Sequence, residues 1–204
     1  MKGDKGNDCL LSVDGTDFRI PERGRRFYSH KFKKSALRYE VALCILTGDI
    51  VWINGLYESG IWNDLMIFQN ALQSELGENE RVEADDGYVG AHPEYVKCPA
   101  GIGNLEETER MQQRLRNRQE TINERFKNFE CLNVVWRHAI VFHGRAFTAV
   151  AIILQLTINN GEKFLLLVIE ILPMRMMELL KMEIATMAHN KERQHRKTEM
   201  ATLI

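Results

Sequence analysis

The feature that most constrains the fold is a change of hydrophobic period near residue 60. Tyr39–Leu46 and Ile50–Leu56 are strand-like and flank Thr47-Gly48-Asp49, a hairpin-turn signal, so they are expected to be antiparallel neighbours. From Asn63 to Leu76 the apolar residues Leu65, Phe68, Leu72 and Leu76 fall at helical spacing, with Asn63 as N-cap and Gly77 as terminator. Cys9–Val13 reads as a buried strand ending at Asp14-Gly15-Thr16-Asp17, and Arg81–Ala84 as another short strand before Asp85. The stretch from Pro21 to Lys34 reads as a basic coil, and Val89 to Asn104, with two prolines and three glycines, as loop. Glu106–Leu132 carries the longest helical signal, with Leu115, Ile122, Phe126 and Phe129 on one stripe, and Ala146–Ile158 is a second apolar helical segment. The order strand, hairpin, helix, strand, loop, helix, helix predicts an α/β fold with a mixed sheet flanked by helices.

At 204 residues, with 45% apolar and 27% charged residues, the chain suits one globular domain with an appendage. Its net charge of −1 gives no overall attraction to nucleic acid, so any such attraction must come from local clustering. No uninterrupted apolar run has the length of a membrane span, and the polar start MKGDKGND has no signal-peptide core, so neither membrane nor secretion is expected. Cys9, Cys44, Cys98 and Cys131 are scattered and are read as reduced thiols. Beyond Pro173, a Met- and Leu-rich stretch and the basic run His189–Lys197 read as a C-terminal helix with a solvated basic end.

Three acids stand out by position. Asp14 and Asp85 each follow an apolar strand, where open α/β sheets place ligands, and Glu120 lies in the long helix 35 residues after Asp85. A carboxylate so placed is costly when buried alone and tolerable when several share divalent cations. Mg²⁺ takes oxygen ligands, and a pair of such ions activates a water or 3′-hydroxyl for in-line phosphoryl displacement. The competing reading is ordinary turn chemistry for Asp-Gly and a solvent-exposed glutamate paired with Arg116. On a helix, Arg116, Glu120 and Lys127 fall within about 40° of one another, a face that would suit a phosphate backbone beside a metal site. His92, His138 and His143 have no zinc-finger spacing.

These residues resemble the DDE transposases of the Harbinger type and their DDE-endonuclease relatives. Val13-Asp14-Gly15-Thr16 resembles the first-aspartate motif, and Lys31 a lysine that follows it. The stretch from Leu43 to Phe68, with Trp62-Asn63-Asp64 and Ile67-Phe68, resembles the hairpin and the D-x-x-I-F helix start. Asp85-Asp86-Gly87-Tyr88 resembles the second-aspartate motif D-x-G-Y, and Arg118-Gln119-Glu120, with Arg125 and Lys127, the helix bearing the glutamate. The resemblance implies an RNase H-like catalytic domain over residues 9–164, a tail over 165–204 with no assignment, and divalent-metal-dependent DNA cleavage and strand transfer. It implies Asp14, Asp85 and Glu120 as ligands of two Mg²⁺ or Mn²⁺ ions, and Lys31, Arg116, Arg125 and Lys127 as DNA-contacting cations. Asp17 and Asp86 are the nearest alternative acids. Only thirteen residues precede Asp14, so the family's N-terminal reading region is expected to be missing, with site recognition lost or supplied by a separate DNA-binding partner protein. The expected location is nuclear if the source is eukaryotic and cytoplasmic otherwise. A catalytically inactive remnant that binds DNA or protein is the other class of reading, and a metal-dependent RNA or phosphoester hydrolase a third.

Overall fold

The computed structural model describes residues 9–160, and the chain divides after Asn160. The expectations for residues 161–204, including the tail helix and its basic end, lie outside the described residues.

Strand β1 (Leu11–Arg19) is the centre of the sheet. It pairs antiparallel over its whole length with β3 (Lys34–Cys44), from Leu11 opposite Cys44 to Arg19 opposite Ala36. β3 turns through Thr47-Gly48-Asp49 into antiparallel β4 (Ile50–Glu58), with Gly48 at φ 76°, a conformation glycine adopts without strain. The short β2 (Tyr28–Ser29) pairs with the start of β3. On its other edge β1 runs parallel to β5 (Val82–Glu83), and β5 runs parallel to β6 (Val96–Lys97). The path is therefore β4-β3-β1-β5-β6, a mixed sheet with an antiparallel half and a parallel half.

The helices are α1 (Asp64–Asn70), α2 (Leu72–Glu75), α3 (Leu105–Lys127), α4 (Glu130–Asn133) and α5 (Val141–Asn160). Alternation along β1 sends Phe18 to one face of the sheet and Val13 to the other. On the first face Phe18 meets Tyr39 and Phe126 of α3 edge-on, and Phe147 of α5 stacks on Tyr39 and on Phe126 with ring centroids 4.0 and 4.8 Å apart. On the second face Val13, Ala42 and Val82 pack with Phe68, Leu72 and Tyr88. Each large apolar side chain so buried contributes about 1.5–3 kcal/mol relative to exposure.

Several expectations change. Asp14 was expected at a strand end, but β1 continues for five residues beyond it. The polar run that signals a stop is satisfied within the fold. Asp17 faces away from Asp14 and accepts from Arg38 Nε at 2.7 Å and from Ser29 Oγ. The presumed loop 89–104 contains β6, whose two residues are too few to leave a periodic pattern. The first helix breaks at Ala71, where φ and ψ are −139° and −81°, and the long helix ends at Lys127 before the separate turn α4. The N-cap at Asn63 forms as expected, its side chain accepting from Met66 N at 2.8 Å.

By length and composition α5 is apolar enough to cross a membrane. Its His143, Ala146, Phe147, Val150, Ala151, Leu154 and Thr157, in steps of one or three residues, form a buried stripe. Gln155 ties the helix to the hairpin by donating to Asp49 at 2.7 Å and accepting from Ile50 N at 2.7 Å.

Candidate acidic cleft

Asp14 projects from the middle of β1 towards α3, the face on which Phe18 also lies. Asp85 follows β5, the parallel neighbour of β1, and caps the short 3-10 turn Asp86–Ala91, with Oδ1 accepting from Gly87 N at 2.8 Å. The pairing of β1 with β5 thus brings two acids distant in sequence to adjacent positions. Glu120 lines the same cleft from α3. That helix is fastened to β5 by Arg118, which donates to Glu83 at 2.7 Å, with Arg114 at 3.6 Å from the same carboxylate.

The result is a cleft of about 610 Å³ lined by Asp14, Asp85 and Glu120 together with Lys31, Arg116 and Lys127. Asp86, Glu124, Gln119 and Asn123 complete its polar wall. Arg125 does not line it. Five residues rotate a helix by about 140° from Glu120, whereas four residues back and seven forward return Arg116 and Lys127 to the same side. Arg125 instead sits in the last turn of α3, where a cation complements the helix dipole. No ion pair joins Arg116 to Glu120 among the described residues, so the surface pair of the competing reading does not form. The two neighbouring acids are separated by what they touch: Asp86 Oδ1 accepts from Ala100 N at 2.8 Å and so fastens the loop after β6, and Asp17 belongs to the Arg38 network behind the sheet.

Burial first, then Asp64 and Asp85, push the Asp14 carboxyl up to about 7 against the pull of Lys31 and of the Gly15 amide. Asp64 is raised as well, by burial first, with Arg38 opposing and Asp17 and Asp85 adding to the rise. On β3, Glu40 is driven by burial to about 7 although Trp52 Nε1 donates to it at 3.0 Å. In all three groups burial is the first cause of the rise, and a neighbouring carboxylate adds to it.

Among the described residues, no three His, Cys, Asp or Glu side chains are drawn together at metal-ligating separations. The donor set around the cleft is nevertheless oxygen-only, which is the chemistry of hard divalent cations rather than of zinc or copper. The histidines stand elsewhere: His143 is wholly buried and shares a 2.8 Å hydrogen bond with Tyr39, His92 contacts Val96 O, and His138 lies edge-on to Trp136.

Comparison with protein-family models, with curated proteins and with solved structures gives no match.

Two residues of this region are not among the candidate site residues read from the sequence. Asp64 enters there only as the start of the D-x-x-I-F stretch, because an acid at the first helical position after an N-cap is ordinary helix-start chemistry. Glu40 lies inside an apolar strand, and only the absence of a polar neighbour in Tyr39-Glu40-Val41 marks it.

Proposed function

We propose that residues 9–160 form the catalytic core of a DDE-type endonuclease or transposase of the Harbinger kind, acting on DNA with two divalent metal ions, Mg²⁺ or Mn²⁺. The observation that carries this is the convergence of Asp14, Asp85 and Glu120, from two parallel strands and a helix, on one cleft that also presents Lys31, Arg116 and Lys127. An RNase H-like arrangement is supported by the antiparallel β4-β3-β1 unit extended by parallel β5 and β6, with α3 against the acid-bearing face.

In this reading Asp14, Asp85 and Glu120 would hold the cations. Bound there, the ions would supply Lewis acidity towards the attacking water or 3′-hydroxyl and towards the leaving oxygen. Asp85 keeps one carboxylate oxygen engaged with Gly87 N and leaves the other for a ligand. Lys31 and the α3 cations hold phosphates without reading sequence, so target choice would fall to a separate DNA-binding partner.

The test is cleavage of supercoiled and linear DNA in Mg²⁺ or Mn²⁺ by the native chain and by Asp14→Ala, Asp85→Ala and Glu120→Ala. Each substitution should abolish cleavage and leave DNA binding intact. RNA and nucleotide substrates, assayed in parallel, address a phosphoester hydrolase. The second reading, a non-catalytic module that binds DNA or protein, draws on the spread of the three carboxylates beyond ligating separations. It predicts DNA binding, no cleavage, and no effect of the three substitutions.

A further inference from the structure

The acidic cleft has a second side. In the β1–β3 ladder Gly15 lies opposite Glu40, and it faces away from its neighbour Asp14, towards α1. The Asp64 carboxylate fills the space that a side chain on Gly15 would need: a Cβ there would stand 1.8 Å from Asp64 Oδ1. A Cβ on Gly87 would stand 3.9 Å from Asp64 Oδ2. Asp64 therefore sits between the backbone that follows Asp14 and the turn that follows Asp85, with glycine at both approaches.

Its compensation is incomplete. Arg38 Nη1 lies 3.3 Å from Asp64 Oδ1, but the Nε and Nη2 of that arginine already donate to Asp17 at 2.7 and 3.1 Å. Asp64 Oδ1 is buried and accepts no hydrogen bond. The Tyr88 hydroxyl, on a side chain with no exposed surface, also has no partner, and the charges acting on it are those of Asp64, Asp14, Glu40 and Asp85, strongest first. Glu40 Oε1 is a third buried oxygen without a partner. Buried polar atoms left unpaired by the protein are commonly met by a water or an ion.

We propose that Asp64 is a fourth carboxylate of the cation site, presented through the gap at Gly15 and braced by Arg38. The proposal rests on the metal reading of the cleft and adds to it a residue outside the expected triad. A hard cation takes six or more oxygen ligands, and its affinity rises with the number of carboxylates around it.

Mn²⁺ binding to the full chain tests this without DNA, by electron paramagnetic resonance of the free ion, for the native chain, Asp14→Asn, Asp64→Asn, Asp64→Ser and the surface control Glu78→Gln. Metal-free melts of the same proteins separate affinity from folding. We expect both Asp64 variants to bind Mn²⁺ about tenfold to a hundredfold more weakly, the range for losing a supporting group of a metal site, with metal-free Tm unchanged or raised. Native affinity in the Asp64 variants, with loss in Asp14→Asn, would overturn the role of Asp64 and leave the cleft reading standing. A lowered metal-free Tm in both variants, with Mn²⁺ affinity intact in the folded fraction, would likewise make Asp64 structural. No Mn²⁺ binding by the native chain would overturn the cleft reading itself, and this assignment with it.

Discussion

Arg118 donates to Glu83 at 2.7 Å, and each of these residues lies two positions before an acid of the cleft, Glu120 and Asp85. The pair joins the centre of α3 to β5. It is also largely buried on the Glu83 side, so it holds the glutamate-bearing helix against the aspartate-bearing strand.

Arg118→Ala should therefore cost more than loss of a surface pair. Leaving Glu83 with Arg114 alone should lower stability by about 1–3 kcal/mol, against about 0.5 kcal/mol for Arg110→Ala, whose partner Glu106 is exposed. Chemical denaturation measures both. On the nuclease reading proposed above, metal-dependent cleavage should fall in Arg118→Ala and stay native in Arg110→Ala.

Cations on one helix should behave differently in DNA binding. Arg116→Ala and Lys127→Ala each remove a cation from the cleft wall and should each reduce the slope of log affinity against log salt by about 1. Arg125→Ala, outside the cleft, should leave the slope unchanged. An equal effect of all three would point to DNA lying along the whole helix.

Glu40 predicts a pH dependence with a definite sign. Its carboxyl is raised from 4.5 to about 7 in the folded chain, so between these values the native state binds more protons than the unfolded one. Stability from this group is full below pH 4.5 and falls as pH rises through 7. Glu40→Gln should be more stable than the native chain at pH 8, by up to about 2–3 kcal/mol, with the advantage fading towards pH 4. Urea unfolding at both pH values checks it.

His143 acts in the opposite direction over nearly the same range. Burial lowers it from 6.5 to about 4, so the unfolded chain takes up the proton first, and stability is lost as pH falls from 6.5 towards 4. In His143→Phe this acid sensitivity should disappear, at a pH-independent cost of about 1 kcal/mol for the lost Tyr39 hydrogen bond. Melting curves between pH 4 and 7.5 for the two proteins separate the terms.

What was legible in the sequence was local. Thr47-Gly48-Asp49 between two apolar runs specified the hairpin, because turn residues and period act over a few positions. Asn63 announced the start of α1 through its own side chain. The i,i+4 and i,i+7 geometry of α3 placed Arg116 and Lys127 beside Glu120, and the same geometry excludes Arg125, although motif order alone had included it. Asp14, Asp85 and Glu120 were nominated from position next to apolar segments and from family resemblance.

The tertiary structure decided the rest, because it rests on pairing between distant segments. Asp14 lies within a strand because β3 supplies partners along the whole of β1, and Arg38 and Ser29 neutralise the Asp17 that had read as a strand end. The two residues of β6 are a strand only because β5 lies beside them. Asp64 meets the cleft because Gly15, 49 positions earlier, leaves room for its carboxylate, and no local pattern encodes that coincidence. Sequence alone determined the larger elements and which acids they carry. The long-range register of the sheet determined which of those acids share a site.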